Sequence, residues 1–66
     1  MKTTVNGEER ALAEGATVAS LLRESGLASE VVAIAVNRSV VPRATFEERA
    51  LAEGDAIEII RAVAGG

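Results

Sequence analysis

Thr17-Val18-Ala19-Ser20-Leu21-Leu22-Arg23-Glu24-Ser25-Gly26-Leu27 decides the fold. Val18, Leu21, Leu22 and Ser25 recur at i, i+3, i+4 and i+7, so one helical face is apolar while Arg23 and Glu24 point away. Thr17 is the expected N-cap, its hydroxyl accepting from a first-turn amide. Gly26 stands where a left-handed residue ends a helix, and Leu27 is placed to fold back on Leu22. The spacing predicts a helix over 18–25. Two turns do not hold alone in water, so this helix must lie on a sheet.

The sheet is sought on either side. Met1 to Val5 reads as a strand, with Met1, Thr3 and Val5 on one face. Asn6-Gly7 suits a type I′ turn, which needs positive φ at both central residues. Glu8 to Leu12 then returns antiparallel, with Leu12 its obvious inward residue. Beyond the helix, Ala28-Ser29-Glu30 is a connector. Val31-Val32-Ala33-Ile34-Ala35-Val36 is a continuous apolar run with four β-branched residues, expected to be a central strand. Asn37-Arg38-Ser39 turns the chain into a brief strand, Val40-Val41. Pro42 stops it and, lacking an N–H, assigns it to an edge.

Arg43 to Glu48 reads as a short helical turn that plugs Phe46 into the core. Arg49-Ala50-Leu51 adds a scrap of strand, and Ala52-Glu53-Gly54-Asp55 a turn. Ala56 to Ala62 is the last strand. Ile57 and Ile59 face the core; Glu58, Ile60 and Ala62 share the solvated face. The first and last strands are expected to be parallel neighbours at the centre. The fold class is α+β, one helix across one face of a small mixed sheet of four to five strands. Residues 1–62 form the domain and 63–66 a tail ending Gly65-Gly66.

Composition narrows the chemistry. The chain has 66 residues, no Cys and no His. Disulfides, thiolate metal sites and the usual near-neutral acid/base are therefore missing. A domain this short buries only about 60% of the surface of its unfolded chain. It must stand on packing, consistent with an apolar fraction of 48% in which Phe46 is the single aromatic. Seven Lys/Arg against ten Asp/Glu leave a net charge of −3, which speaks against a nucleic-acid partner. No apolar run reaches membrane-span length, and Met1 to Val5 contains no signal-peptide core, so a cytoplasmic location is expected.

No catalytic set emerges. Ser20, Ser25, Ser29 and Ser39 have no imidazole partner and suit caps and turns. Glu8-Glu9 and Glu47-Glu48 are carboxylate pairs, but acid/base work needs a pocket that separates their pKa values. Gly15 before the helix is a weak phosphate signal, and scattered carboxylates offer no metal site. Two features stand out instead. Ile60 on the solvated face, beside Ala62 and Val63, suggests partner docking. The tail Ala64-Gly65-Gly66 is thin enough to thread a narrow channel. Taken alone, a terminal Gly pair is more often a loose end.

These residues together resemble the ThiS family, sulfur carriers of thiamin (thiazole) biosynthesis with a ubiquitin-like β-grasp fold. The resemblance spans essentially the whole chain. It rests on Asn6, Gly15-Ala16-Thr17-Val18 with Leu21-Leu22, Ala33-Ile34-Ala35-Val36-Asn37, Val40-Val41-Pro42-Arg43, Gly54-Asp55 and Ala64-Gly65-Gly66. It implies that an E1-like adenylyltransferase of ThiF type activates Gly66 with ATP and Mg. A persulfide donor protein then leaves a thiocarboxylate, whose sulfur thiazole synthase of ThiG type takes for the thiazole ring. This chain itself would bind no cofactor and carry no catalytic residue. Gly66 would hold the sulfur, Gly65 and Ala64 would thread, and Ile60, Ala62 and Val63 would dock. Phe46 agrees with the family pattern. Ile60 stands where a larger apolar residue is common, and Arg10 replaces a more apolar residue, leaving the inner face of the second strand open. Related readings are a molybdopterin-type or other metabolite sulfur carrier, a ubiquitin-like modifier conjugated through Gly66, and a plain interaction domain.

Overall fold

The computed structural model describes residues 1–26 and 31–61. Helix α1 runs Val18–Ser25, the range the apolar spacing predicts. The Thr17 hydroxyl accepts the Ser20 N–H at 3.1 Å, and Ser20 Oγ accepts the Thr17 N–H at 2.8 Å. This reciprocal box, with serine in place of the usual Glu or Gln at the third position, satisfies two amides that the helix cannot. Gly26 ends α1 at φ 70°, its N–H meeting the carbonyls of Leu22 and Arg23. The expected return contact of Leu27 on Leu22 lies outside the described residues, as does the 28–30 connector.

Five strands form the sheet: β1 (Lys2–Val5), β2 (Glu8–Ala11), β3 (Val31–Val36), β4 (Ser39–Val41) and β5 (Ala56–Arg61). Their order is β2-β1-β5-β3-β4. The first and last strands are parallel at the centre, with Thr4 opposite Ala56 and Val5 opposite Ile57. All other pairs are antiparallel. The Asn6-Gly7 turn has φ 51° and 84°, the left-handed pair expected of Asn-Gly. β4 sits at the edge, starts one residue before the expected Val40, and leads into Pro42.

The core lies between α1 and the sheet. Val18 and Leu21 from the helix meet Ile34, Val36 and Ile57, all fully enclosed. Phe46 follows a single 3₁₀ turn, Arg43–Thr45, and is buried in the same cluster. The Arg43 guanidinium lies 5.8 Å from its ring centroid. The expected scrap of strand at 49–51 reduces to one bridge between Ala50 and Thr17, while Leu51 is buried. On β2 the open question resolves: Arg10 pairs with buried Thr3, so it points to the helix side of the sheet, where it is half-buried. Of the inward positions of that segment, Leu12 alone is fully buried, which is why its alternation reads poorly.

Candidate functional site

The site is built on β5 and the strands beside it. Along β5, Ile57 and Ile59 are buried while Glu58 and Ile60 are exposed, as the alternation predicts. Ile60 is 52% exposed. Its cross-strand neighbour on β3 is Ala33, and that of Glu58 is Ala35. On the far side of β3, Ala35 lies opposite Val40, which is 72% exposed. Val40 and Ile60 are the large apolar residues exposed among the described ones, and both stand on the face away from α1. Two strand spacings and two residues separate them, or about 12 Å. The small side chains of Ala33 and Ala35 floor the space between. Glu58 supplies the adjoining charge.

Sequence reasoning placed Ile60 here and missed Val40. The signal was available: if Val41 points inward, Val40 points outward. Its neighbours, however, depend on which strand lies next to β4. Ala62, Val63, Ala64, Gly65 and Gly66 follow directly from Arg61 and lie outside the described residues, as does the last position of the strand expected to reach Ala62.

The helix side offers recesses rather than chemistry. An open groove of about 650 Å³ is lined by Glu8, Arg10, Glu24, Ile59 and Arg61, among others. Its titratable members are carboxylates and guanidinium groups, with no His or Cys in the chain to act as nucleophile or near-neutral base. Arg23 Nη1 and Glu47 Oε1 meet at 2.7 Å on the surface. That hydrogen bond, with the charge behind it, raises the Arg23 pKa. Ser20 is used in the helix cap, as its type suggests. Among the described residues, no group of three or more His, Cys, Asp or Glu could hold a metal ion. No described helix is long and apolar enough to cross a membrane.

Comparison with known proteins addresses what such a surface serves. Residues 3–66 match the model of the ThiS family. Thiazole synthase from Paramagnetospirillum magneticum is 39% identical over 66 residues, all of this chain but 20% of that protein. Thiazole synthase from Magnetococcus marinus shows the same identity and coverage. The chain thus spans about a fifth of the length of these two relatives. The sulfur carrier protein ThiS of Escherichia coli is 30% identical, with both chains covered completely. The crystal structure of the thiamine biosynthesis protein ThiS from Geobacter metallireducens superposes with a TM-score of 0.83 at 31% identity, again over the whole of both chains. The parallel pairing of first and last strands under one helix is therefore the β-grasp arrangement, and the chain belongs to the ThiS family of sulfur carriers of thiamin biosynthesis.

Proposed function

We propose that this chain carries sulfur on the carboxyl carbon of Gly66 and delivers it to a thiazole synthase. A carboxylate is a poor electrophile. Attack of the Gly66 carboxylate on the α-phosphorus of ATP, with Mg on the phosphates, releases pyrophosphate and leaves an acyl adenylate. The terminal sulfur of a protein persulfide then displaces AMP and forms an acyl disulfide. A thiol reduces that disulfide, so the thiocarboxylate leaves and the donor ends as a disulfide. The E1-like adenylyltransferase, the persulfide donor and the synthase supply the catalytic groups; this chain is their shared co-substrate.

The observation that carries the reading is the pair of thiazole synthases containing a segment matched by this whole chain. A segment joined to its acceptor acts at high effective concentration, the advantage sought when an unstable acyl-sulfur species must not be lost to water. That pairing favours thiazole over a molybdopterin acceptor. Gly65 and Gly66 would thread, with Ala64 behind them, and Ile60, Ala62 and Val63 would dock, joined by Val40 across Ala35.

The test is intact mass spectrometry after incubation with an E1-like partner, ATP, Mg and a persulfide donor. The expected product is heavier by one oxygen-to-sulfur exchange, and thiazole synthase returns it to the starting mass. No exchange with a competent partner overturns the reading. A ladder of isopeptide conjugates on other proteins would make the chain a modifier.

A further inference from the structure

β5 must hold its direction up to Arg61 if it is to aim whatever follows, yet β1 stops short of that end and β3 pairs with it only through a register shift. β1 pairs with β5 only as far as Val5 opposite Ile57, and then turns away at Asn6-Gly7. On the other side, the register of β3 against β5 shifts between Val31 and Ala33, at the level of Ile60 and Arg61. On the β1 side one side chain extends the contact by two residues. Asn6 donates its backbone N–H to the Ile57 carbonyl at 2.8 Å, and its Oδ1 accepts the Ile59 N–H at 2.8 Å. In a regular parallel ladder the main-chain carbonyl of residue 6 would take that N–H. With Asn6 at φ 51°, the chain has left the strand and the side-chain carbonyl stands in for the main-chain one.

We infer that Asn6 is a positioning residue for sulfur loading: its side-chain amide latches the end of β5 and so directs the tail toward the activating enzyme. The inference rests on Gly66 being the loaded end. It separates two tasks. Docking belongs to the exposed face around Val40 and Ile60, whereas the latch is a bond in the plane of the sheet on the β1 side of β5. Presentation of the carboxylate belongs to the direction of β5 beyond Ile59. Loss of the latch should therefore lower turnover in the bound complex and leave affinity alone.

Asn6→Gly tests the latch, because glycine keeps the left-handed turn and removes the acceptor, while adding some freedom to the unfolded chain. Asn6→Asp restores an acceptor and also tolerates this backbone conformation. In Asn6→Gly, hydrogen exchange of the Ile59 amide should accelerate roughly tenfold, as for the loss of one hydrogen bond, with the helix amides unchanged. The kcat for loading should fall about threefold to tenfold, while KM and the Kd for the activating enzyme stay within about twofold. Asn6→Asp should recover exchange protection and kcat together. Wild-type kcat in Asn6→Gly, a matched loss of kcat and affinity, or no recovery in Asn6→Asp would each overturn the positioning role. Failure of the wild-type chain to load at all would instead remove the reading beneath it, while the exchange measurement still reports whether the latch exists.

Discussion

The Asn37 side chain donates Nδ2–H to Asp55 Oδ1 at 3.0 Å, tying the β3–β4 turn to the turn that precedes β5. Asn37 also exchanges two bonds with Ala56: its backbone N–H reaches the Ala56 carbonyl at 2.7 Å, and its Oδ1 accepts the Ala56 N–H at 3.0 Å. Asp55 is buried, and its second oxygen accepts the Ala52 N–H at 2.8 Å. The start of β5 is thus held by Asn37 as its end is held by Asn6, each residue opening a hairpin turn at positive φ.

Asp55→Ala should cost about 1–3 kcal/mol, because it leaves the Ala52 amide and the Asn37 Nδ2 without their acceptor. In a domain of this size that corresponds to a melting temperature lower by roughly 5–20 °C. Urea denaturation followed by circular dichroism measures it. A change below about 0.5 kcal/mol, the ordinary surface range, would show that the network adds nothing.

Arg38→Gly should stabilise the fold. The second hairpin turns through Asn37 at φ 52° and Arg38 at φ 70°, whereas the first uses Asn6-Gly7 for the same geometry. Arginine pays steric strain in the left-handed region that glycine avoids, offset in part by the freedom glycine loses on folding. The expected gain is about 0.5–1 kcal/mol by denaturant titration. Equal or lower stability would mean that the unfolded-state term dominates at this turn.

Ile60→Glu and Val40→Glu should each weaken binding of the activating enzyme by about tenfold or more, as for anchors near the centre of an interface. Stability should change by less than about 0.5 kcal/mol, since both side chains are exposed. Titration calorimetry paired with thermal melts separates the two effects. Because Ala35 lies between them, the double variant should lose less than the sum of the singles if one partner surface covers both.

Deletion of Gly66 should leave the melting temperature within about a degree, as for a surface change, and abolish sulfur loading. Mass spectrometry after the loading reaction reads the second outcome. A truncated chain that still gained sulfur would place the acceptor elsewhere.

Most elements of this fold were legible because their signals are local. Thr17, Gly26 and the i, i+3, i+4 apolar spacing specify α1 without reference to anything distant. Asn6-Gly7 specifies a left-handed turn. Pro42 marks an edge by lacking a donor. The alternation of Ile57, Glu58, Ile59 and Ile60 places Ile60 outside from β5 alone. The expected parallel pairing of β1 and β5 is what the register shows, with Thr4 opposite Ala56 and Val5 opposite Ile57.

What the sequence by itself determined, then, was most of the elements, the faces that α1 and β5 present and the family motif that ends in Gly65-Gly66. Only the tertiary structure decided who stands beside whom. Val40 joins Ile60 because β3 lies between β4 and β5, with Ala35 opposite one and Ala33 opposite the other. Arg10 turns to the helix side because its register sets it opposite Thr3. Asn6 reaches Ile59, 53 residues away in sequence, because β1 stops short just where β5 continues. Periodicities of 2 and 3.6 carry information over a few residues; neighbours across a sheet depend on strand order and register, which the whole chain settles by burying α1 against it.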